Sequence, residues 1–502
     1  MSQLIRLIHE NYDKDPNKII LRDSKKNWTW YDLLNRAKCY SESIITNSPN
    51  QKIVPILVDR SGESVAAMLG CILLKKGIAP LSPNQPIARI EKSVNKLDTT
   101  IVLSAFETNL KLTDKNIIFP NHVLIENKIQ YDKKNFNNED ILYNLFTSGS
   151  TGDPKGVMVS SANIENTMLW SIDIINWNNN DVIGCATNFY FDISMFDLFT
   201  MLYFNIPIAI FSETINISKV VQEIKKYNVT SIFSVPLFFA QLLKVDIIDN
   251  YDKFNSLKRI LSGGDFFHPN HIIEWLKTFP SVEIYNVWGP TETSIVNTMH
   301  LINVKDLEKL KRGESPSVGK AHSRMRFYIV NDDRSKIINK SEERGEIVMI
   351  GESVTQGYLK DDLLTSQSYG VINGERCFYT NDIGYINSEG SLFIIGRKGT
   401  TIKLSGYRVD LSEIEFIATN YDKIQYAISF VNKVDKSNDE LCLAVELKNN
   451  NETIDLFDFK KYLRESLPHY MVPKKIFFLE EMPKNSNGKI DRNKININFF
   501  NE

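Results

Sequence analysis

Histidine and cysteine are scarce in this chain and nowhere clustered. The seven histidines form no HExxH or similar grouping, and the five cysteines (Cys39, Cys71, Cys185, Cys377, Cys442) include no CxxC pair. That scatter argues against a zinc site and against a disulfide framework. It reads as reduced, mostly buried thiols of a cytoplasmic protein. Neither sign of charge is in excess. The 59 Lys and Arg stand against 61 Asp and Glu, a formal net charge of −2, which speaks against a broad electrostatic footprint for nucleic acid. No apolar run is long enough to span a bilayer. The amphipathic start Met1-Ser2-Gln3-Leu4-Ile5-Arg6-Leu7-Ile8 lacks the continuous apolar core of a signal peptide, so no membrane association is expected. Also missing are a repeat at fixed period, a long Pro/Gly/Ser linker and the GxxxxGK[ST] spacing of a Walker loop.

What is present is an ordinary globular composition, 42% hydrophobic and 24% charged, over 502 residues. A chain of that length exceeds what one core usually holds, so two or more domains are expected. Residues 147–156 read Thr147-Ser148-Gly149-Ser150-Thr151-Gly152-Asp153-Pro154-Lys155-Gly156. Hydroxyls and glycines alternate and a lysine follows, which is the chemistry of a loop that wraps phosphate oxygens. Glycines let backbone N–H groups approach an anion, Ser and Thr add donors, and Lys155 adds positive charge. The apolar run Ile141-Leu142-Tyr143-Asn144-Leu145-Phe146 before it reads as a buried strand. A surface turn would need one or two such residues, not a continuous block.

Strand-like runs alternate with helical patterns along most of the chain: Ile53–Val58 before Ser64–Leu74, Ser231–Val235 before Phe238–Leu243, and Lys258–Leu261 before Asn270–Phe279. The alternation predicts layered α/β subdomains. A boundary is expected near Gly396-Arg397-Lys398-Gly399, dividing a core domain over 1–396 from a small α+β domain over 397–502. Gly399 serves as either a hinge or a plain turn.

Four further stretches offer chemistry, each with an ordinary structural use beside it. Tyr285–Thr293 joins aromatics to a Gly-Pro turn and a hydroxyl–carboxylate pair. There Glu292 suits Mg²⁺ near a phosphate, Trp288 a purine face and Asn286 its edge; the segment also reads as a capped turn. Asp192 is a lone carboxylate in the apolar region Phe189–Leu202 and needs a partner, as counter-ion of a substrate ammonium or as a helix N-cap. Asp382, in Tyr379–Asp382, suits a ribose diol or a surface turn. Lys489 follows Gly488 in a polar loop, where most lysines are simply solvated.

In order, these stretches resemble the adenylate-forming superfamily, in particular the stand-alone amino-acid adenylation domains of nonribosomal peptide synthesis and the D-alanine–D-alanyl carrier protein ligases. Trp28–Leu33, Leu74–Leu81, the phosphate loop, Phe191–Ser194, Asn286–Glu292, Gly345–Ile347 with Gly357–Leu359, Thr380–Asp382, Gly396–Glu415, Leu467–Pro473 and Asn487–Asp491 fall in family order over nearly the whole chain. The resemblance implies a large N-terminal domain and a small mobile C-terminal lid. It implies that Thr147, Ser148, Gly149, Ser150, Thr151, Gly152 and Lys155 handle ATP phosphates. Gly264, Asn286 and Trp288 form the adenine site, Thr291 lies near the α-phosphate and Glu292 at Mg²⁺. Asp382 and Arg397 hold the ribose, Asp192 pairs with an α-amino group, and Lys489 contacts the substrate carboxylate and α-phosphate. Lys489, Glu292 and Thr151 are the implied catalytic residues.

The implied reaction makes an aminoacyl-AMP from ATP and an amino acid. A phosphopantetheine thiol of a separate carrier protein then takes the aminoacyl group, while the small domain rotates between steps and brings in the segment around Gly406. Two departures stand out: Asn381 where the family usually has glycine, and Gly399 where the hinge is usually Asp or Lys. By motif offset, Ile193, Phe196, Ser234, Leu261, Gly263, Val287, Ile295 and Val296 line the side-chain pocket, which predicts a small or medium, largely apolar amino acid. Glycine at 263, where D-alanyl ligases carry a cysteine, points away from D-alanine and towards a larger substrate or an L-isomer. A D-alanyl ligase, an acyl- or aryl-CoA ligase, which has no ammonium for Asp192, and a non-catalytic adenylate fold are the alternatives.

Overall fold

The computed structural model of the protein describes residues 3–120, 136–147, 153–212, 214, 216–244, 254–267, 269–312, 316–322, 324–399, 401–435, 438–448, 453–483, 490, 492 and 494–495. The expected loop residues Ser148, Gly149, Ser150, Thr151 and Gly152, and Lys489, lie outside them.

The architecture is mixed α/β, with a large N-terminal part and a small C-terminal one. A nine-stranded sheet runs in the order Lys320–Ala321, Thr298–Leu301, Glu283–Trp288, Arg259–Ser262, Ser231–Ser234, Ile183–Cys185, Ile208–Ile210, Ile19–Arg22, Asn27–Thr29. Its interior pairs are parallel and both ends are closed by antiparallel strands. A six-stranded sheet is ordered Asn116–Ile118, Ile101–Ser104, Ile53–Leu57, Gly77–Leu81, Ile141–Thr147, Lys155–Ser160. Strands buried on both faces read as continuous apolar runs, which is why the alternation was legible. One hydrophobic core contains Ile56 and Tyr143 from the smaller sheet and Ile183 and Phe233 from the larger. The helix Asp192–Phe204 belongs to that core, apolar on nearly every side. It packs on the helices Leu4–Lys14 and Ser161–Ile175 and on three strands of the nine-stranded sheet, and it stops at Asn205, whose φ of +57° makes a left-handed cap.

A third sheet is antiparallel, in the order Ile337–Ile338, Met325–Val330, Gly345–Gly351, Glu375–Ile386, Tyr369–Ile372, with Leu392–Arg397 added to Glu375–Ile386. The βα alternation of the earlier strands does not extend into this helix-poor region. The C-terminal part begins with the hairpin Thr401–Leu404/Tyr407–Asp410. A three-stranded sheet of Ile424–Asp435, Asn438–Leu447 and Lys475–Leu479 follows, with the helices Leu411–Thr419 and Leu456–Ser466. Its core is its own, with Val409, Ile414, Leu443, Phe459 and Leu463 among its members.

Two polar contacts help join the two parts. Arg89, in the helix Ile87–Lys96, donates to Glu413 in the helix Leu411–Thr419, and both are buried. The Gly406 N–H donates to Asp265 Oδ2 at 3.0 Å. All five cysteines are free and buried. Among the described residues no helix is long and apolar enough to cross a membrane.

Candidate active site

The phosphate-loop segment is flanked by two paired antiparallel strands, Ile141–Thr147 and Lys155–Ser160. Thr147 and Lys155 stand opposite each other in register, so the strands fix where the lysine sits. Burial lowers the Lys155 amine below its ordinary range, and neighbouring Arg408 lowers it further, against Asp410 and Glu292.

Across from it, the strand Glu283–Trp288 runs into the single 3-10 turn Thr291–Thr293. Thr291 Oγ1 donates to Asp192 Oδ2 at 2.6 Å. Asp192 is therefore not the N-cap of its helix: Phe191 holds that position without a side-chain cap, and Asp192 opens the first turn. Burial pushes the Asp192 carboxyl above its ordinary value, partly offset by the bond from Thr291 and by Lys403. A half-desolvated carboxylate at a cavity mouth is a receptor for a cation.

Glu292 is wholly buried. Its Oε1 accepts from Tyr358 Oη at 2.8 Å and from Arg408 Nη1 at 2.6 Å, while Oε2 has no partner among the described residues. Desolvation alone would raise this carboxyl, but the Arg408 guanidinium and the two hydrogen bonds outweigh it and bring its pKa down to about 2. Arg408, Lys403, Gly406 and Tyr407 all come from the C-terminal hairpin. Its tip fits the N-terminal part so closely that a Cβ on Gly406 would lie 2.3 Å from Val235 Cγ1, and its φ is +84°. Only glycine serves there. Tyr407 stacks on Tyr470 at 4.2 Å and meets Phe191 edge-on at 5.3 Å.

Three cavities meet at Gly264. The central one is walled by Thr147, Asp192, Thr291, Asp382, Lys403 and Arg408. One of about 580 Å³ carries Asn286, Trp288, Phe266, Val318 and Asp382. In it Trp288 Nε1 donates to Asp382 Oδ2 at 3.1 Å, and the Asn286 amide nitrogen donates to the Ser317 carbonyl at 2.8 Å, which orients its oxygen as the remaining acceptor. Arg397 pairs with Asp382 through the backbone ladder. The third cavity, about 270 Å³, carries Thr187, Asn188, Ser234, Leu237, Phe238 and Tyr407.

Of the eight expected pocket residues, Ile193, Phe196, Leu261, Val287, Ile295 and Val296 lie in one core cluster, and Gly263 is beside them. Ser234 lines the third cavity together with Ile193. It is the neighbour Phe233 that faces Phe196, edge-on at 5.4 Å and 90°, because successive side chains of a strand alternate in direction. Nor does Gly263 leave free room: a Cβ there would lie 3.2 Å from Phe233 Cε2.

A family model described as AMP-binding enzyme matches residues 8–359, and one described as AMP-binding enzyme C-terminal domain matches residues 413–489. The chain belongs to the AMP-binding enzyme family. Its class is that of AMP-forming ligases. This AMP-binding enzyme is 28% identical over 485 residues to a D-alanine–D-alanyl carrier protein ligase of Listeria monocytogenes, spanning 93% of each chain. Two solved structures share the fold. An NRPS protein containing adenylation and PCP domains superposes with a TM-score of 0.85 at 21% identity, over 98% of this chain and 83% of the other. The o-succinylbenzoate CoA synthetase of Bacillus subtilis does so with 0.83 at 20%, over 97% of each.

Sequence reasoning missed four participants in this AMP-binding enzyme. Arg408 and Lys403 sit inside the Gly396–Glu415 block and Tyr358 inside Gly357–Leu359, so the motifs marked their neighbourhood but not their partners. Phe233 was masked by its adjacency to Ser234. The orphan Oε2 of Glu292 is a buried anionic donor that fits a divalent cation. Among the described residues no group of three or more His, Cys, Asp or Glu side chains is placed to hold a metal. Such an ion would share Glu292 with nucleotide phosphates.

Proposed function

We propose that this enzyme activates a small amino acid as aminoacyl-AMP and passes it to the phosphopantetheine thiol of a separate carrier protein. The observation that carries the reading is Asp192, a carboxylate held by Thr291 at the junction of the cavities and facing no buried cation among its hydrogen-bond partners. An ammonium group is the partner it lacks. An acyl- or aryl-CoA ligase has no use for it.

In the first step a substrate carboxylate oxygen attacks the α-phosphorus of ATP and the bond to the β-phosphate bridging oxygen breaks, so pyrophosphate leaves with the electron pair. Lys155 and the loop before it hold the leaving phosphates. Lys489 is assigned to the carboxylate and α-phosphate, where charge grows in the transition state. Glu292 would hold a Mg²⁺ ion, which would neutralise charge on the phosphates. Trp288 and Asn286 take the adenine, and Asp382 with Arg397 takes the ribose. In the second step a thiolate attacks the acyl carbon and AMP departs with the electrons of the broken C–O bond. We place the moving unit at 397–502, with Gly399 as hinge; its φ is +85° and, among the described residues beyond its chain neighbours, no atom lies within 4 Å of where its Cβ would be.

The test is exchange of labelled pyrophosphate into ATP across all amino acids, D-alanine included. Exchange with one or a few amino acids is expected. No exchange with any, together with activity on a carboxylic acid plus CoA, would overturn the proposal.

A further inference from the structure

Resting on the assignment of the ribose to Asp382, we infer that Asn381 and Arg334 are positioning residues that clamp the backbone presenting the Asp382 carboxylate and so set how tightly the nucleotide is held. Asp382 borders both the central cavity and the one that carries Trp288. Its strand, Glu375–Ile386, does not run evenly beside Gly345–Gly351. Glu346 pairs with Ile383 and Val348 with Tyr379, so Ile347 alone faces Thr380, Asn381 and Asp382. Such a bulge re-aims a side chain and breaks the ladder locally. Side chains take up the polar groups it frees. Thr380 Oγ1 donates to the Ile347 carbonyl at 2.7 Å, the Asp382 N–H donates to Thr380 Oγ1 at 3.0 Å, and the Asn381 N–H donates to Glu346 Oε1 at 3.1 Å.

Asn381 has a φ of +59°, a conformation that glycine takes freely and asparagine more readily than most other residues. Where glycine is usual in the family, this chain therefore has a side chain to use. Its Oδ1 accepts from Arg334 Nη2 at 3.2 Å, and its carbonyl accepts from the Lys398 N–H at 2.6 Å. Arg334 is itself fixed. Its Nε and Nη2 grip Glu346 at 2.9 and 2.8 Å, its Nη1 donates to the Gln367 carbonyl at 3.1 Å, and its guanidinium lies 4.1 Å from the centre of the Tyr379 ring. Glu346 is buried, so its charge depends on that fork. Arg334, Glu346 and Asn381 thus close a ring: Nη2 reaches Oε1, Oε1 accepts the Asn381 N–H, and Asn381 Oδ1 returns to Nη2. A ring tied through both the backbone and the side chain of Asn381 fixes the direction in which the next residue, Asp382, points. Neither Asn381 nor Arg334 walls the two cavities that Asp382 borders, so both act through it.

The experiment is calorimetric titration of the full chain with AMP and with 2′,3′-dideoxy-AMP, which lacks the diol, for the wild type, Asn381→Gly, Arg334→Lys and the double variant. The wild type is expected to bind AMP roughly ten- to a hundredfold more tightly than the dideoxy analogue. Asn381→Gly keeps the backbone conformation and is expected to weaken AMP about tenfold but the analogue less than about twofold. Arg334→Lys keeps a cation for Glu346 but not the fork that also reaches Asn381, and a similar loss of AMP is expected. The double variant is expected to be no weaker than the weaker single one, because both changes cut the same contact. Equal losses for both nucleotides overturn the inference, since a merely structural role would not distinguish them. So does an Asn381→Gly protein that binds AMP like the wild type, or a double variant in which the two losses multiply. Should Arg334→Lys fail to fold, Asn381→Gly with the two nucleotides decides. A wild type that binds both nucleotides alike takes the ribose from Asp382, and this inference with it. Pyrophosphate exchange decides the amino-acid reading separately, because AMP binding needs no amino acid.

Discussion

Asp192 and Glu292 are neighbours in space with opposite titration behaviour, and the cause is their partners. Asp192 receives only neutral hydrogen bonds, from the Thr291 hydroxyl and the Ile193 N–H, so desolvation wins and its carboxyl is raised. Glu292 receives a guanidinium, so attraction wins and its carboxyl falls to about 2 from an ordinary 4.5. Each difference is testable. Asp192→Asn keeps the shape and removes the charge that would meet an ammonium. A lost charge-assisted hydrogen bond of about 1.5–3 kcal/mol predicts a fall of roughly ten- to a hundredfold in kcat/KM for the amino acid, with the KM for ATP little changed. Equal losses for both substrates would remove Asp192 from its assigned role. For Glu292 the sign runs one way. The unfolded chain takes up the proton near 4.5 and the folded chain only near 2, so its contribution is present above 4.5 and lost as pH falls through that window. Urea unfolding followed from pH 6 to pH 3 is expected to show wild-type stability dropping more steeply than that of Glu292→Gln. The full difference is on the order of 3 kcal/mol. Parallel curves would contradict the assignment.

At the scale of the element, the hairpin Thr401–Asp410 matters most, because it brings Lys403, Gly406 and Arg408 into a site otherwise built by the N-terminal part. Its entry depends on Gly406, where any Cβ collides with Val235. Gly406→Ala is expected to slow transfer to the carrier by about tenfold or more, while pyrophosphate exchange stays within about threefold of wild type. Loss of both half-reactions together would mean a folding defect, visible in the melting curve. Elements of this kind mark the edge of what the sequence made legible. The strand Ile141–Thr147 and the βα units announced themselves by long apolar runs and by glycine and hydroxyl chemistry. The neighbours brought together across 94 to 116 residues, Trp288 with Asp382, Thr291 with Asp192 and Arg408 with Glu292, did not. Local pattern carries propensity and burial, whereas partner choice is made by the fold. Phe233 shows the limit at its narrowest: a one-residue offset in a strand moves a side chain from one face of the sheet to the other.

For the whole molecule, the contact between its two parts includes a buried ion pair. Arg89 and Glu413 are 6% and 0% exposed, and breaking a buried ion pair by removing one partner costs about 3–5 kcal/mol. That cost falls on the docked arrangement, since the N-terminal core and the C-terminal core are separate clusters. Arg89→Met is therefore expected to leave the main melting transition nearly unchanged while exposing the segment around Gly399 to protease. The double variant Arg89→Met with Glu413→Leu is expected to recover much of the protection. Unchanged cleavage in the single variant would show that the pair does not hold the parts together.

Burial also decides what such a latch responds to. Counter-ions screen charges they can surround, over about 8 Å at physiological ionic strength, and here they have no access. The solvation penalty of a buried ion pair shrinks as temperature rises. A turnover cycle gated by this contact would thus be nearly deaf to salt and would lean further towards the docked posture on warming. Temperature, not ionic strength, would be the dial on which half of the reaction limits the rate.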